Sequence, residues 1–254
     1  MKIPIIEKLY YSPVKSLSFT NTMNLIVKRN IGIKNDRIFA FTRLIEKDES
    51  VIYEKNPEER NLNFFLTLKN SPFLNKYNFE FRFNELFLFL NKKLINKIAL
   101  DNKDNFKIFS NELMRREKLI TNTPYLIHNE DCPFFDTMPY NSISLININS
   151  IKDFEKKINR KIEFERFRAN IYIKNIDPWI EFNWINKKIL VNDCLFKVVK
   201  KISRCSATNL IPNFDTSDIN LPRKLRECYG CSDMGIYLMP LSDGEIKTGG
   251  IIKL

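Results

Sequence analysis

The chain of 254 residues is poor in the residues on which several common functional sites depend. It has six glycines, and none of them lies in a glycine-rich phosphate-binding loop. His128 is the only histidine, so we do not expect a structural zinc site built from cysteine and histidine. No internal repeat and no regular alternation of strands with helices is present. These absences exclude the nucleotide-binding α/β folds and favour a β-rich α+β class.

Long apolar runs are also missing. The N-terminal segment MKIPIIEKLYYSPVK is interrupted by charges and prolines, so no secretory signal is predicted. No segment approaches the roughly 18 consecutive apolar residues that a transmembrane helix requires. We therefore expect a cytoplasmic protein with no membrane span.

The cysteines are too few and too scattered for a disulfide framework, which fits a reducing compartment. They are Cys132, Cys194, Cys205, Cys228 and Cys231. Cys228 and Cys231 form a C-x-x-C motif that has no second pair for a zinc site. A redox role for this motif stays open.

The formal charge of +11 raises the question of a nucleic-acid partner. The lysine pairs at positions 92, 156, 187 and 200 are short, and acidic residues separate them. They are not interleaved with aromatic residues as in an RNA-binding motif. We interpret the charge as solvated surface and expect no nucleic-acid partner.

The first half of the chain reads as short strands. Residues 3–11 predict one strand, and MNLIVKR and DRIFAFTRLI predict a hairpin around a turn at NIG. YNFEFRF and LFLFLN predict two more strands. The polar stretch 101–122 is the candidate boundary, which divides the chain into a β-rich N-terminal domain at 1–115 and a second domain at 116–254.

The second half combines strands with a few short helices. SISLIN predicts a strand, followed by a helix capped by Asn149 or Ser150. KKILVN and LFKVVKK predict paired strands, and LPRKLRECYG a short helix with Pro222 near its start and Gly230 past its end. The predicted fold is α+β and β-rich, with a C-terminal β-barrel and a few short helices packed on a smaller β-rich N-terminal domain.

The segment KKISRCSATNLIP carries the clearest chemical signal. Its strand is predicted to end near Ser203, which places Cys205 just beyond the strand and beside Arg204. A neighbouring positive charge favours the thiolate, which is both a nucleophile and a metal ligand. From these residues alone, an ordinary buried thiol is the favoured interpretation, and a ligand or nucleophile is the alternative.

Four segments at predicted strand ends share cations and small polar side chains: PVKS at 13–16, NDR at 35–37, FRAN at 167–170 and SRCSATN at 203–209. Arginine binds phosphate through paired donors, lysine adds a point charge, and hydroxyl groups complete the shell. Together they indicate a phosphate-bearing ligand held beside a thiolate.

The chain resembles a known family in YSPVKSL, GIKNDRIFAF, RFRANIYI, SRCSATNLIP and LRECYGCSDMGIYLMPLSDGEIKTGG. It resembles MOSC-domain proteins (molybdenum cofactor sulfurase C-terminal domain) that carry the accompanying N-terminal β-barrel domain. This family includes the mitochondrial amidoxime-reducing components and bacterial relatives. The resemblance is weakest between about 46 and 140.

The resemblance implies that the molybdenum cofactor, Mo-molybdopterin, binds through the thiolate of Cys205. Arg204 would help to keep that sulfur deprotonated. The cofactor's phosphate and pterin would be held by Lys15, Ser16, Arg37, Arg168 and Asn170, with Ser203 and Thr208 closing the shell. Asn147 corresponds to a further polar position near the pterin.

The implied activity is reduction of N-hydroxylated or other N- or S-oxygenated small molecules by oxygen-atom transfer. The electrons would come from a separate donor protein of a ferredoxin- or cytochrome-type reductase chain. A cofactor or sulfur carrier without turnover of its own is the alternative. The sequence departs from the family pattern at Ile211, Cys231 and Gly250. These departures bear on substrate recognition and leave the proposed metal ligand in place.

Overall fold

A computed structural model describes residues 2–135, 139 and 141–254. The described residues form two compact units. The first takes those within 1–11, 21–34 and 137–254, and the second takes those within 12–20 and 35–136. Each unit is therefore assembled from separated segments, whereas the division into domains 1–115 and 116–254, which stays a prediction, uses a single boundary.

The secondary structure is dominated by short strands, as the sequence predicts. In chain order the strands are β1 (Ile5–Tyr11), β2 (Thr20–Thr22), β3 (Asn24–Lys28), β4 (Gly32–Ile33), β5 (Phe39–Phe41), β6 (Tyr77–Arg82), β7 (Glu85–Leu90), β8 (Lys93–Ala99), β9 (Leu126–His128), β10 (Ile143–Asn147), β11 (Ile171–Lys174), β12 (Lys188–Val191), β13 (Cys194–Ser203), β14 (Asp233–Pro240), β15 (Gly244–Lys247) and β16 (Ile252–Lys253). The α-helices are α1 (Lys47–Lys55), α2 (Phe106–Arg116), α3 (Ile148–Ile158) and α4 (Leu221–Tyr229). Among the described residues, no helix is both long and apolar enough to cross a membrane.

The largest sheet has the strand order β16-β12-β13-β14-β10-β11-β1-β2. β10 and β11 pair in parallel, and β11 pairs with β1 in antiparallel fashion. An antiparallel bridge between Ile5 and Ile251 connects β1 to the segment before β16, and Ile6 N donates to Gly250 O at 2.8 Å. This bridge brings the two ends of the sheet together, and the curled, β-rich architecture confirms the predicted fold class.

The core of the first unit is formed by alternating positions of these strands. In β13, Cys194, Phe196, Val198 and Ile202 are buried, whereas Lys197 is exposed. A period of two places such residues on one face of a strand. A smaller sheet, β15-β3-β4, adds Leu25, Val27, Ile33 and Ile246 to the same apolar cluster.

The second unit contains two small sheets, β5-β9 and β6-β7-β8, together with α1 and α2. Its apolar contacts are largely aromatic. Phe41 and Phe109 both lie 5.7 Å from Phe79, measured between ring centroids. One apolar cluster joins α1 to β5 and β9 through Tyr53, Ala40 and Ile127.

The hairpin predicted from MNLIVKR and DRIFAFTRLI is wrong. β3 pairs with β4, with Lys28 opposite Gly32, so the turn at NIG closes on a strand of two residues. The segment after it forms β5, in which Phe39 pairs with His128 of β9. A partner that lies far along the chain replaces the local one.

The polar stretch 101–122, predicted as a boundary, contains helix α2. Phe106, Phe109, Ser110 and Leu113 are buried at spacings of three and four, which is the pattern of an amphipathic helix. Charged residues on the other face dominate the composition of this stretch. The helical signal was therefore present, but the charge concealed it.

The two predicted C-terminal helices are present. α4 begins after Asn220, whose side chain accepts from Arg223 N at 3.1 Å, and it ends at Gly230 with φ 74°. Pro222 lies in its first turn, as predicted. α3 is capped by Asn147, whose Oδ1 accepts from Asn149 N at 3.0 Å, so the predicted cap at Asn149 or Ser150 is two or three residues too late.

Candidate functional site

Cys205 lies two residues beyond the end of β13, and this confirms the predicted position of the strand end at Ser203. Cys205 is exposed. Its backbone is extended (φ −112°, ψ 177°) and leads into a 3₁₀ turn at Ser206–Asn209. Thr208 donates to the carbonyl of Cys205 from its N (3.1 Å) and its Oγ1 (2.8 Å). The main chain is thus fixed while the residue stays accessible, which does not fit an ordinary buried thiol.

The side chain of Arg204 connects separate segments of the first unit through hydrogen bonds. Its Nε donates to Met234 O at 2.9 Å, its Nη2 donates to the same oxygen, and its Nη1 donates to Phe167 O at 2.8 Å. The guanidinium carbon lies 5.5 Å from the centre of the Phe167 ring. Burial lowers the pKa of Arg204, but a guanidinium keeps its charge in proteins. A fixed positive charge therefore lies one residue from Cys205.

The segment before β11 supplies Asn170, which is buried. Its Oδ1 accepts from Ser144 Oγ at 2.8 Å, and its Nδ2 donates to Tyr10 O at 3.2 Å. One amide therefore connects β10, β11 and β1. The predicted contact of Asn170 with a cofactor stays a prediction, beside this clear role in holding the sheet together.

Asn147 is fully buried, and its amide serves the protein itself. Besides capping α3, its Nδ2 donates to Asp177 O at 2.8 Å and to Glu181 Oε2 at 3.2 Å. The helix cap and these two hydrogen bonds together account for the buried amide of Asn147. Its predicted contact with the pterin stays a prediction.

Ser203 lies on the surface at the end of β13. Its Oγ is 2.9 Å from Ser232 Oγ, and Arg204 N donates to Ser232 O at 3.0 Å. The end of β13 and the segment that leads into β14 are thus joined next to Cys205 by a main-chain and a side-chain hydrogen bond.

Three predicted site residues, Ser16, Arg37 and Arg168, adopt left-handed backbone with φ of 62°, 57° and 51°. This conformation is uncommon for residues other than glycine and asparagine, and it costs free energy unless the surroundings impose it. Such residues concentrate at ligand-binding positions. The observation supports a binding role for these segments, each within its own unit.

Sequence reasoning missed Arg166, which is buried in the first unit. Its Nη1 donates to Asn209 O at 2.9 Å and to Asp218 Oδ1 at 2.8 Å, and its Nε donates to Glu163 at 2.7 Å. The hydrogen bond from Arg166 lowers the pKa of Asp218. Arg166 thereby fixes the 3₁₀ turn that follows Cys205. No periodic signal distinguishes it from Arg168 in the sequence FERFRAN.

In the second unit, Lys15 is buried with its Nζ 3.1 Å from Phe134 O and 5.8 Å from the centre of the Phe65 ring. Burial lowers the pKa of this ammonium, and the charges of Arg37 and Arg60 lower it further. Arg37 and Arg60 therefore place positive charge close to a buried amine.

Arg37 and Arg60 are each held in this unit. Arg37 forms an ion pair with Asp36, and its guanidinium lies 4.7 Å from the centre of the Phe135 ring. Arg60, which sequence reasoning missed, donates from Nε to Tyr53 O and from Nη1 to Cys132 O, both at 2.8 Å. Nothing in the sequence NPEERN marks this arginine, because its partners come from distant segments.

The predicted site residues are therefore divided between the units. Lys15, Ser16 and Arg37 belong to the second unit, and the other predicted site residues belong to the first. In the described part of the chain, no group of three or more histidine, cysteine, aspartate or glutamate side chains is arranged to hold a metal ion. A metal at Cys205 would thus need most of its ligands from a cofactor.

Comparison with known proteins gives a family match and distant relatives. Residues 135–253 match the model of the MOSC domain family. The chain is 27% identical over 133 residues to "Mitochondrial amidoxime-reducing component 1" from Homo sapiens, a match that covers 48% of this chain and 38% of that protein. It is 27% identical over 145 residues to "Mitochondrial amidoxime reducing component 2" from Rattus norvegicus, covering 52% and 41%. The matches thus span about two-fifths of the length of these relatives.

Among solved structures, the YUAD protein from Bacillus subtilis aligns with 99% of this chain and 94% of its own, at 13% identity and a TM-score of 0.46. The family match covers β10 to β16 and includes Arg168, Asn170 and the segment around Cys205. It also agrees with the resemblance expected from the motifs SRCSATNLIP and RFRANIYI. Residues 135–253 of this chain are a MOSC domain.

Proposed function

We propose that this protein binds the molybdenum cofactor with the thiolate of Cys205 as the protein ligand to molybdenum. We propose further that it reduces N-hydroxylated or other N- or S-oxygenated small molecules. The observation that carries the proposal is the exposed Cys205 beyond the end of β13, with its main chain fixed on both sides. A ligand in this position is accessible yet does not have to be ordered when the cofactor binds.

The residues around Cys205 fit such a group. Thiolates are soft ligands that suit molybdenum held by a dithiolene. Ser203 offers an exposed hydroxyl group, and Arg168 holds a left-handed backbone at the entry to β11. When bound, the cofactor supplies two-electron oxygen-atom transfer. The chain binds and orients the cofactor and its substrate.

The substrate class is suggested by the relatives, whose names describe amidoxime-reducing components. Because the matched regions span about two-fifths of those proteins, this activity is part of the proposal. Electrons would come from a separate donor protein. Lys15, Ser16 and Arg37 stay predicted cofactor residues, and the left-handed backbone of Ser16 and Arg37 supports that assignment.

The metal content of a single variant tests the proposal. Wild type, Cys205→Ser and the control Cys228→Ser are purified from a host that makes the cofactor, and molybdenum and pterin are measured per chain. We expect Cys205→Ser to lose at least about tenfold in molybdenum, the scale on which changes near a metal ligand reduce metal affinity. Cys228→Ser should retain it. Undiminished molybdenum in Cys205→Ser contradicts the proposal.

A second measurement divides enzyme from carrier, since the same residues bind the cofactor in either case. Loaded protein is assayed for reduction of benzamidoxime with an artificial electron donor. Turnover that follows molybdenum content across the variants supports the oxidoreductase. A fully loaded protein that does not turn over identifies a cofactor carrier.

A further inference from the structure

We propose that Cys205 and Cys231 form a reversible disulfide across the ends of β13 and β14. The pairing depends only on the geometry of the first unit. It makes this thiol pair a modification site for low-molecular-weight disulfides.

The register of the two strands brings the cysteines opposite each other. Ser203 pairs with Asp233 at the end of the antiparallel ladder, and the hydrogen bond from Arg204 N to Ser232 O at 3.0 Å continues it by one residue. Extending this register by one more position places Cys205 opposite Cys231. Because that pair follows a hydrogen-bonded one, its Cα atoms are expected about 4.5 Å apart. This separation lies within the range of roughly 4.4 to 6.8 Å that a disulfide spans.

The local structure holds this alignment. The Oγ atoms of Ser203 and Ser232 lie 2.9 Å apart, and this hydrogen bond joins the two segments next to the cysteines. Cys205 is exposed and Cys231 is half-buried, so an oxidant reaches the pair through Cys205. Gly230, with φ 74°, turns the chain out of α4 and directs Cys231 toward β14.

Cys228 is the competing partner for Cys231 in the C-x-x-C motif. It lies in the last turn of α4 and lines a cavity together with Lys157 and Ile158 of α3. That environment is on the α3 side of helix α4, whereas Cys231 belongs to the segment that enters β14. The structure therefore favours Cys205 over Cys228 as the partner of Cys231.

The reaction is thiol–disulfide exchange with a small disulfide, RSSR. The thiolate of Cys205 attacks one sulfur, releases one RSH and leaves a mixed disulfide. The thiolate of Cys231 then attacks the Cys205 sulfur and releases the second RSH. Two protein thiols are oxidised to one disulfide, and RSSR is reduced to two thiols.

The consequence rests on the proposed function, because a sulfur in a disulfide has no thiolate to offer a metal. Oxidised chain should therefore take up no molybdenum cofactor until it is reduced. Through this cysteine pair, cofactor loading would depend on the ratio of small thiols to small disulfides around the protein.

The test uses full-length chain from a host that does not make the cofactor, treated with glutathione disulfide and then alkylated under denaturing conditions. We expect the five free thiols to fall to three. Trypsin should yield a cross-link between peptides 205–223 and 227–247. Because the second peptide contains both Cys228 and Cys231, the cross-link is repeated in Cys228→Ser, where it should persist, and in Cys231→Ser, where it should vanish.

A disulfide confined to peptide 227–247, a cross-link that survives in Cys231→Ser, or glutathione retained on Cys205 would overturn the inference. Its failure is separable from that of the proposed function. Molybdenum bound by a chain that forms no cross-link refutes the disulfide alone. A cross-link in a chain that binds no molybdenum when reduced refutes the cofactor assignment alone.

Discussion

Arg204 in the first unit and Arg60 in the second make the same kinds of contact, but these contacts have different consequences. Each donates to main-chain carbonyls and lies over a phenylalanine ring, Phe167 for Arg204 and Phe134 for Arg60. Arg204 fixes the chain beside an exposed cysteine, whereas Arg60 adds charge next to the buried Lys15. The first unit thus uses its arginine to set geometry, and the second also gathers positive charge.

The largest effect that tests this comparison is the loss of either arginine. Arg204→Leu and Arg60→Leu should each lower the free energy of unfolding in urea by about 2 to 4 kcal/mol, because buried carbonyls lose charged donors. Only Arg204→Leu should also change the rate at which iodoacetamide alkylates Cys205. Arg226→Ala, on the exposed face of α4, is the control and should stay within about 0.5 kcal/mol.

Equal alkylation rates in Arg204→Leu and wild type would break the contrast, since Arg204 would then not shape the surroundings of the thiol. A change of less than about 0.5 kcal/mol in both arginine variants would show that their carbonyl contacts carry no stability.

A smaller effect belongs to the second unit alone, because His128 is the only histidine. Burial lowers the pKa of His128 below its ordinary value of 6.5, while Glu130 and Glu54 favour the charged form and Lys103 opposes it. The ring stacks on Phe39 at 4.4 Å, and its Nε2 lies 3.4 Å from Glu130 Oε1.

The direction in which pH changes the free energy of unfolding follows from proton uptake by His128. As pH falls below about 6.5, the unfolded chain binds a proton that the native His128 does not, so the free energy of unfolding decreases. One proton limits this slope to about 1.4 kcal/mol per pH unit. Urea unfolding from about pH 7 to pH 5 should show the loss in wild type, and His128→Phe should show a shallower decline. Parallel curves would assign the pH dependence to carboxyl groups.

The smallest effect sharpens the description of the first unit. Thr208→Val keeps the side-chain shape but removes the hydroxyl that donates to Cys205 O at 2.8 Å. We expect a loss of about 1 kcal/mol in the free energy of unfolding and faster alkylation of Cys205. Thr216→Val, at an exposed position, is the matched control. An unchanged alkylation rate would mean that the main-chain bond from Thr208 suffices.

Elements with local signals could be predicted from the sequence. Helix α4 has its proline in the first turn and its glycine at the end, and both are properties of neighbouring residues. β12 and β13 were recognised as paired strands because a tight turn joins them. In contrast, the pairing of Phe39 with His128 depends on chain segments far apart, which no local pattern encodes.

The candidate site divides in the same way. Cys205 was found because a strand end, an arginine and hydroxyl side chains are adjacent in the sequence, and the structure places it where expected. Arg60 and Arg166 were missed because their roles exist only through carbonyls supplied by other segments. The left-handed backbone of Arg168 likewise follows from its surroundings rather than from its residue type.

The segmented first unit also constrains how the chain reaches its native state. β1 pairs with β11 and β3 pairs with β15, so each of these two strands finds one of its partners only after most of the chain has been synthesised. Contacts between residues so distant in sequence slow folding, because a long loop must close before they form. A fragment that begins at residue 116 would leave β11 and β15 with unpaired edges, which are prone to aggregate. Segments 1–11 and 21–34 are therefore needed by any fragment meant to present Cys205 in its native surroundings.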